Sequence, residues 1–422
     1  VSRGLILAAP SSGSGKTTLT LGLLRAFTRR GVAVRGAKSG PDYIDSRFHA
    51  AACGAPCPNL DAWAMSPARI ASLAAGDGLL LIEGAMGLFD GAPPDGKGAT
   101  GDLARQLGLP VVLVVDCARM AQSVAPLVAG FAAHDPGVRV AGVILNRIGS
   151  ARHAAMLRRA LAPLGIAVLG ALPRLPALHH PSRHLGLVQA DECADLEHWL
   201  DQVAGEVASA IDLDALAALA AALPAAPPVP RLAPPGQRIA IARDRAFAFA
   251  YPHILDDWRG AGAELLPFSP LADEAPAPDA DFIFLPGGYP ELYAATLADA
   301  ATFKAGLRAA TCPVYGECGG YMVLGRGLTD ADGIRHEMLG LLEVETSFAS
   351  RKLHLGYRHV TATAGPFPGR WAAHEFHYAT ALRETGQPLF AATDAEATPL
   401  APMGLITGRV SGSFAHLIDR AE

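Results

Sequence analysis

Ala9-Pro10-Ser11-Ser12-Gly13-Ser14-Gly15-Lys16-Thr17-Thr18 decides the reading of the first half of the chain. It follows an apolar run at 5–9 and opens a helical pattern, Leu19, Leu23, Ala26 and Phe27, closed by Gly31. A glycine-rich loop between strand and helix turns its backbone amides toward one point, and the helix amino end adds positive potential. Lys16 then reaches the outer phosphates of a nucleotide, and Thr17 is placed to ligate Mg²⁺. Gly13, Gly15, Lys16, Thr17 and Thr18 are therefore expected to bind nucleotide. The loop departs from the commonest form in its spacing and in the proline at position 10.

Outward from this loop, apolar runs at 32–37, 79–82, 111–115, 141–145 and 166–169 read as further buried strands separated by helical patterns. Such alternation predicts a mostly parallel, doubly wound α/β sheet. Residues 224–236 are a linker, because 224–235 (PAAPPVPRLAPP) holds six prolines, which fix φ and donate no backbone hydrogen bond. The strand–helix alternation restarts with 238–242, 265–268, 281–285 and 313–315. The expected organisation is thus two α/β domains, 1–223 and 237–422.

Two acidic loops complete the expected nucleotide site. Lys38-Ser39-Gly40-Pro41-Asp42-Tyr43-Ile44-Asp45 follows the second strand, and Glu83-Gly84-Ala85-Met86-Gly87-Leu88-Phe89-Asp90 follows 79–82. Ligands of open parallel sheets sit beyond the carboxyl ends of strands, where these loops emerge. Glu83 reads as a metal ligand ahead of a helix cap; for Asp42 and Asp45 spacing does not separate the two roles. Asp42, Tyr43 and Asp90 border the same edge and are assigned to the substrate carboxylate. Asn146 and Arg147 also reach it, for adenine contact or for a loop turn.

Val314-Tyr315-Gly316-Glu317-Cys318-Gly319-Gly320-Tyr321-Met322 places a cysteine at a strand-to-helix turn. Glycines permit the tight turn, and the helix start favours thiolate, so Cys318 is expected to be a nucleophile. Leu285-Pro286-Gly287-Gly288-Tyr289-Pro290 ends another strand; Gly288, with Gly319, is assigned to an oxyanion through backbone amides. His374, His377 and His416 are the candidate bases, among which sequence distance does not choose.

Composition removes several alternatives. The net charge of −5 and the 6% aromatic content provide neither a basic footprint nor a stacking surface for nucleic acid. Half the residues are hydrophobic, enough to bury sizeable cores. The uncharged stretch 215–230 is broken by prolines, and the amino end lacks a basic region followed by a long apolar core, so neither membrane span nor signal peptide is expected. Six scattered cysteines fit a reduced, cytoplasmic protein. Cys53 and Cys57 read as loop cysteines rather than zinc ligands, and His179, His180 and His184 as a solvated loop. The oligomeric state is open: an apolar helix face packs within the chain or forms a homodimer.

Together the loop at 9–18, KSGPDYID, EGAMGLFD, HLGL (184–187), PGGYPEL, GECGGY, HEFHY (374–378) and SGSFAHL (411–417) resemble the cobyrinic acid a,c-diamide synthases, which include the hydrogenobyrinic acid a,c-diamide synthases of the aerobic route. The resemblance spans 3–419. It implies a dethiobiotin-synthetase-like ATP domain, whose group shares the longer loop, joined to a class I glutamine amidotransferase domain. It further implies that Cys318 is the nucleophile with His416 as its base, that HEFHY belongs to a substrate or domain interface, and that Lys38 faces phosphate. Asn146 joins the ATP site, and Asp45 is preferred to Asp42 as a further Mg²⁺ ligand. Many class I members carry glutamate two residues after the histidine; position 418 is isoleucine, which leaves the third member of the triad unassigned, with Asp419 and Glu317 nearby in sequence.

The implied reaction is amidation of the a and c acetates of a corrinoid. ATP converts each carboxylate to an acyl phosphate, and ammonia comes from glutamine through a thioester on Cys318. Rival readings are a nickel-sirohydrochlorin a,c-diamide synthase, a cobyric acid synthase, an inactive amidotransferase half, and a partition-type switch ATPase. The last leaves GECGGY and His416 without a role.

Overall fold

The computed structural model describes residues 2–174 and 195–421. His179, His180, His184 and the HLGL stretch lie outside them. The chain divides into two compact units, 1–229 and 230–422. Residues 223–236 carry neither helix nor strand.

In the first unit, the apolar runs form strands whose side chains are buried on both faces, which is why they read as runs rather than alternations. They are β1 (Arg3–Ala8), β2 (Val34–Ser39), β3 (Asn59–Leu60), β4 (Leu79–Glu83), β5 (Val111–Asp116), β6 (Val140–Ile148) and β7 (Ala167–Pro173). Their order is β3-β2-β4-β1-β5-β6-β7, with every neighbouring pair parallel. A short β8 (Ala221–Ala222) pairs antiparallel with the start of β1. Two helices position the site: α1 (Lys16–Arg29) follows β1, and α2 (Asp45–Cys53) follows β2. Because β1 lies between β4 and β5, the loops after β1, β2, β4 and β6 open along one sheet edge.

In the second unit, β9 (Arg238–Ala242), β10 (Glu264–Phe268), β11 (Phe282–Leu285) and β12 (Val314–Glu317) form a parallel block in the order β10-β9-β11-β12. The strand Val410–Ser413 extends it in parallel beside β12. From there the sheet continues antiparallel through Met403–Thr407, Gln387–Thr393, His354–Ala362, Gly369–His377 and Ala415–Arg420. This antiparallel half went unread in the sequence. In His354–Ala362 only Val360 and Ala362 are buried, so no apolar run or clean alternation marks it.

Candidate functional site

In the first unit, the turn from β1 into α1 is made by Gly13 and Gly15, whose φ values of 77° and 86° lie in the left-handed region that favours glycine. Gly15 is also pressed from the side: a Cβ there would lie 2.3 Å from the Asn146 amide nitrogen. Asn146 Nδ2 in turn donates to the Ser14 carbonyl (2.8 Å), tying the end of β6 to the loop. The loop opens on a cleft of about 1020 Å³ lined by Lys16, Thr17, Lys38, Glu83, Asn146 and Arg147, among others. Thr18 and the Gly13–Gly15 turn line it as well.

Oxygen donors gather at its floor. Thr17 Oγ1 donates to Glu83 Oε1 (2.6 Å), and Lys38 Nζ donates to the same oxygen (2.7 Å) and to Asp45 Oδ2 (2.5 Å). Thr17, Asp45 and Glu83 are thereby brought together around one ammonium. His49, one turn along α2 from Asp45, meets Glu83 Oε2 through Nε2 (2.6 Å) and is fully buried. Sequence reading missed it, although the i, i+4 spacing puts Asp45 and His49 on one helix face. Burial opposes charge on Glu83, but Lys38 and His49 outweigh it and hold the carboxyl well below its usual range. Burial likewise opposes the Lys38 ammonium; Asp45, Glu83 and Asp42 overcome it and push the pKa up. Lys16, whose Nζ donates to the Met86 carbonyl (2.6 Å), is lowered to about 8, chiefly by burial.

Of the three residues expected at the substrate carboxylate, the two acids already accept hydrogen bonds from their own loops. Asp42 Oδ1 accepts from the Ile44 and Asp45 amides (2.9 and 3.1 Å), the capping role that spacing had left open, and burial raises it to about 6. Asp90 Oδ2 accepts from the Gly87 amide (3.0 Å), and Tyr43 is buried. Cys53 and Cys57 face each other at 3.6 Å as free thiols; among the described residues no further ligand completes a zinc set around them.

In the second unit, Cys318 has φ 46° and ψ −105°, a conformation costing about 1–3 kcal/mol in a non-glycine residue. It is held by its own amide, which donates to Ser413 O (2.8 Å), and by its carbonyl, which accepts from Met322 N (3.0 Å). The strain turns the thiol out of the strand line at the start of the helix Gly319–Leu324. That helix has six residues, and burial prevails over it: the thiol is pushed well up, with Glu291, Glu317 and Glu375 adding to the effect. Burial thus works against the thiolate that the helix start was expected to favour. A thiol raised in this way needs a base before its sulfur can attack.

Of the three candidate histidines, His416 shares a small space with Cys318 beside Gly287. A Cβ on Gly287 would fall 2.3 Å from His416 Cε1, 3.1 Å from Nε2 and 3.2 Å from Cys318 Cβ, so imidazole and cysteine border the same small space. Burial lowers His416 to about 3, aided by His374 and His377, which favours the neutral ring and sets a cost on the imidazolium that any proton transfer must offset. His377 is engaged elsewhere: its ring stacks on Phe414 (4.0 Å between centroids), with Nδ1 on Ala379 O and Nε2 on Glu375 Oε1. His374 lies opposite His416 across the sheet and is lowered to about 4, mainly by burial.

HEFHY, expected at a substrate or domain interface, also borders the nucleophile, with Phe376 O 4.0 Å from Cys318 Sγ. The amides of Gly288 and Gly319 are neighbours too, since a Cβ on Gly319 would lie 3.0 Å from Gly288 N. His354, Glu375 and His377 bring one ligand atom each within 4.8 Å of one another, but Arg358 already holds the outer Glu375 oxygen at 2.8 Å. Such geometry permits a cysteine–histidine acyl transfer with a backbone oxyanion site.

Residues 5–188 match the CobQ/CobB/MinD/ParA nucleotide binding domain, and residues 238–422 match the CobB/CobQ-like glutamine amidotransferase domain. Over the full length, the chain is 56% identical to the hydrogenobyrinate a,c-diamide synthase of Brucella anthropi, covering 99% of this chain and 98% of that one. It is 56% identical to the enzyme of that name from Rhizobium meliloti, covering 99% and 100%. The Rhodobacter capsulatus enzyme is 54% identical, covering 99% and 98%. Among the described residues no helix is long and apolar enough to cross a membrane. With both units matched and the identity sustained from end to end, the chain belongs to the hydrogenobyrinate a,c-diamide synthase family.

Proposed function

We propose that this chain amidates the a and c acetate side chains of hydrogenobyrinate, using ATP and glutamine, in cobalamin biosynthesis. The observation that carries the reading is the pairing, on one chain, of a phosphate-binding cleft with a buried cysteine–histidine site. A carboxylate does not react with ammonia at neutral pH because hydroxide leaves poorly; phosphorylation supplies a better leaving group. Lys16 and the loop amides hold the ATP phosphates, and Lys38 neutralises charge at the cleft floor. Thr17, Glu83 and Asp45 offer the hydroxyl and carboxylate oxygens that suit a hard divalent cation. Mg²⁺ there supplies charge neutralisation on the transferring phosphate. Asn146 contacts the adenine, while Asp42, Tyr43 and Asp90 border the substrate carboxylate.

In the second unit, His416 takes the Cys318 proton as sulfur attacks the glutamine amide, and the Gly288 and Gly319 amides bind the oxyanion. Ammonia leaves, and water releases glutamate from the thioester. The test is mass spectrometry of products after incubation with Mg²⁺, ATP, glutamine and either hydrogenobyrinate, cobyrinate or nickel-sirohydrochlorin. The expected result is a diamide from hydrogenobyrinate, through a monoamide, with one glutamate released per amide. Turnover of nickel-sirohydrochlorin alone would overturn the substrate, and turnover of ATP without any glutamate would overturn the reaction class.

A further inference from the structure

We infer that Glu317, the residue immediately before the nucleophile, is the carboxylate that positions His416. Three observations converge on it. First, Glu317 Oε2 lies 3.7 Å from His416 Nδ1, and both residues are buried. Second, the other oxygen, Oε1, accepts the amide of Leu417 (3.2 Å), so one carboxylate faces the imidazole and holds the backbone just beyond it. Third, β12 pairs Glu317 with Ser413, and His416 follows three residues later in the chain, near the start of Ala415–Arg420, so the carboxylate is carried next to the segment that holds the imidazole.

The ring orientation completes the argument. Nε2 borders the space at Gly287 that Cys318 also borders, which leaves Nδ1 for the carboxylate. The other carboxylate near in sequence serves elsewhere: Asp419 lies opposite Ala372, beyond a register shift, and its Oδ1 accepts from the Arg420 amide (2.8 Å). Ile418, at the position where many class I members carry glutamate, has no polar atom to offer.

The step gives this carboxylate a purpose. As the Cys318 sulfur bonds to the glutamine amide carbon, the thiol proton passes to His416 Nε2. That proton then goes to the departing nitrogen as the carbon–nitrogen bond breaks, releasing ammonia and leaving the thioester. A buried imidazolium forms in between, and a carboxylate at Nδ1 stabilises it and holds the ring in the tautomer that accepts at Nε2. Burial raises the Glu317 carboxyl to about 8, so its ionisation falls in the working range. Tyr315 from β12 faces it directly; His374, His377 and Glu375 from Gly369–His377, Glu291 from the loop after β11, and Tyr251, edge-on to the His416 ring, are further titratable groups around the cysteine–histidine site.

This inference rests on Cys318 and His416 being the glutaminase pair, and the experiment separates the two. Glutaminase kinetics are measured for wild type, Glu317→Gln, Glu317→Asp and Cys318→Ala, with ammonia-driven amidation by each variant as the report on folding. Glutamine at 317 keeps the volume and an acceptor for Leu417 but loses the charge. Glu317→Gln is expected to lower kcat about a hundredfold or more with KM for glutamine nearly unchanged. Glu317→Asp should recover part of the loss. Wild-type kcat/KM should rise with pH and level off above about 8, because activity follows loss of the Glu317 proton; Glu317→Gln should lose that limb. Glu317→Gln with kcat within about twofold of wild type, or a raised KM with kcat and pH profile unchanged, would overturn the positioning role. Glutaminase surviving in Cys318→Ala would instead overturn the underlying pair.

Discussion

Lys38 shows how a few side chains set the character of the first site. It is buried between Asp45 and Glu83 and is the ammonium that bridges the two carboxylates, while Thr17 and His49 hold Glu83 as well. Replacing it with methionine leaves the buried Glu83 and the half-buried Asp45 without their shared countercharge, which is expected to cost about 3–5 kcal/mol. Thermal unfolding of Lys38→Met should record that loss, and added Mg²⁺ should recover part of it by taking over the countercharge. No change in unfolding temperature would contradict the electrostatic account of this cluster. Glu83→Gln keeps the size of the side chain and removes its charge. With ammonia as nitrogen source it is expected to slow phosphoryl transfer about a hundredfold; near-normal ATP turnover with unaltered Mg²⁺ dependence would remove Glu83 from the metal site. In the second unit the same scale separates the histidines. His416→Ala should lower glutaminase about a hundredfold or more, whereas His377→Ala, which loses a ring stacked on Phe414, should do less. Equal damage from the two would make the choice of base wrong.

Both sites are placed by tight turns after parallel strands. In the first, Gly15 is required twice, by a left-handed φ and by the nearness of Asn146; in the second, Gly287 makes room for the imidazole. Gly287→Ala puts a Cβ 2.3 Å from His416 Cε1, so the ring must turn away from Cys318. The variant should lose most glutaminase activity and keep ammonia-driven amidation. A variant with normal glutaminase kinetics would mean that His416 does not occupy this position in the working enzyme. These turns were legible in the sequence because buried parallel strands are unbroken apolar runs and glycines mark the turns that follow β1, β4, β11 and β12. β1, β4 and β5 were readable to within two residues for that reason. Strand β3, two residues long, has no periodicity to read. The antiparallel half of the second sheet was also hidden, and with it the register that sets His374 opposite His416 and Phe376 beside Cys318. Residue types therefore singled out Cys318, Lys16 and Glu83, and the resemblance preferred His416; the residues alone did not separate His416 from His377, and His49 was recognised only in the fold.

The two units have separate chemistries, each with its own sheet, and the account assigns acyl-phosphate formation to one and ammonia supply to the other. Lys16→Ala should lose both glutamine- and ammonia-driven amidation, because neither proceeds without the acyl phosphate, yet it should keep glutaminase activity, which needs no ATP. The decisive measurement is diamide formation by Cys318→Ala supplied with ATP, Mg²⁺ and a high ammonium concentration at mildly alkaline pH, where more of it is free ammonia. The account predicts that this variant converts hydrogenobyrinate to the diamide at a rate close to that of wild type under the same ammonia conditions, while glutamine yields none. A folded, ATP-binding Cys318→Ala that cannot use ammonia would contradict it, because the thiol would then be acting in the amidation itself.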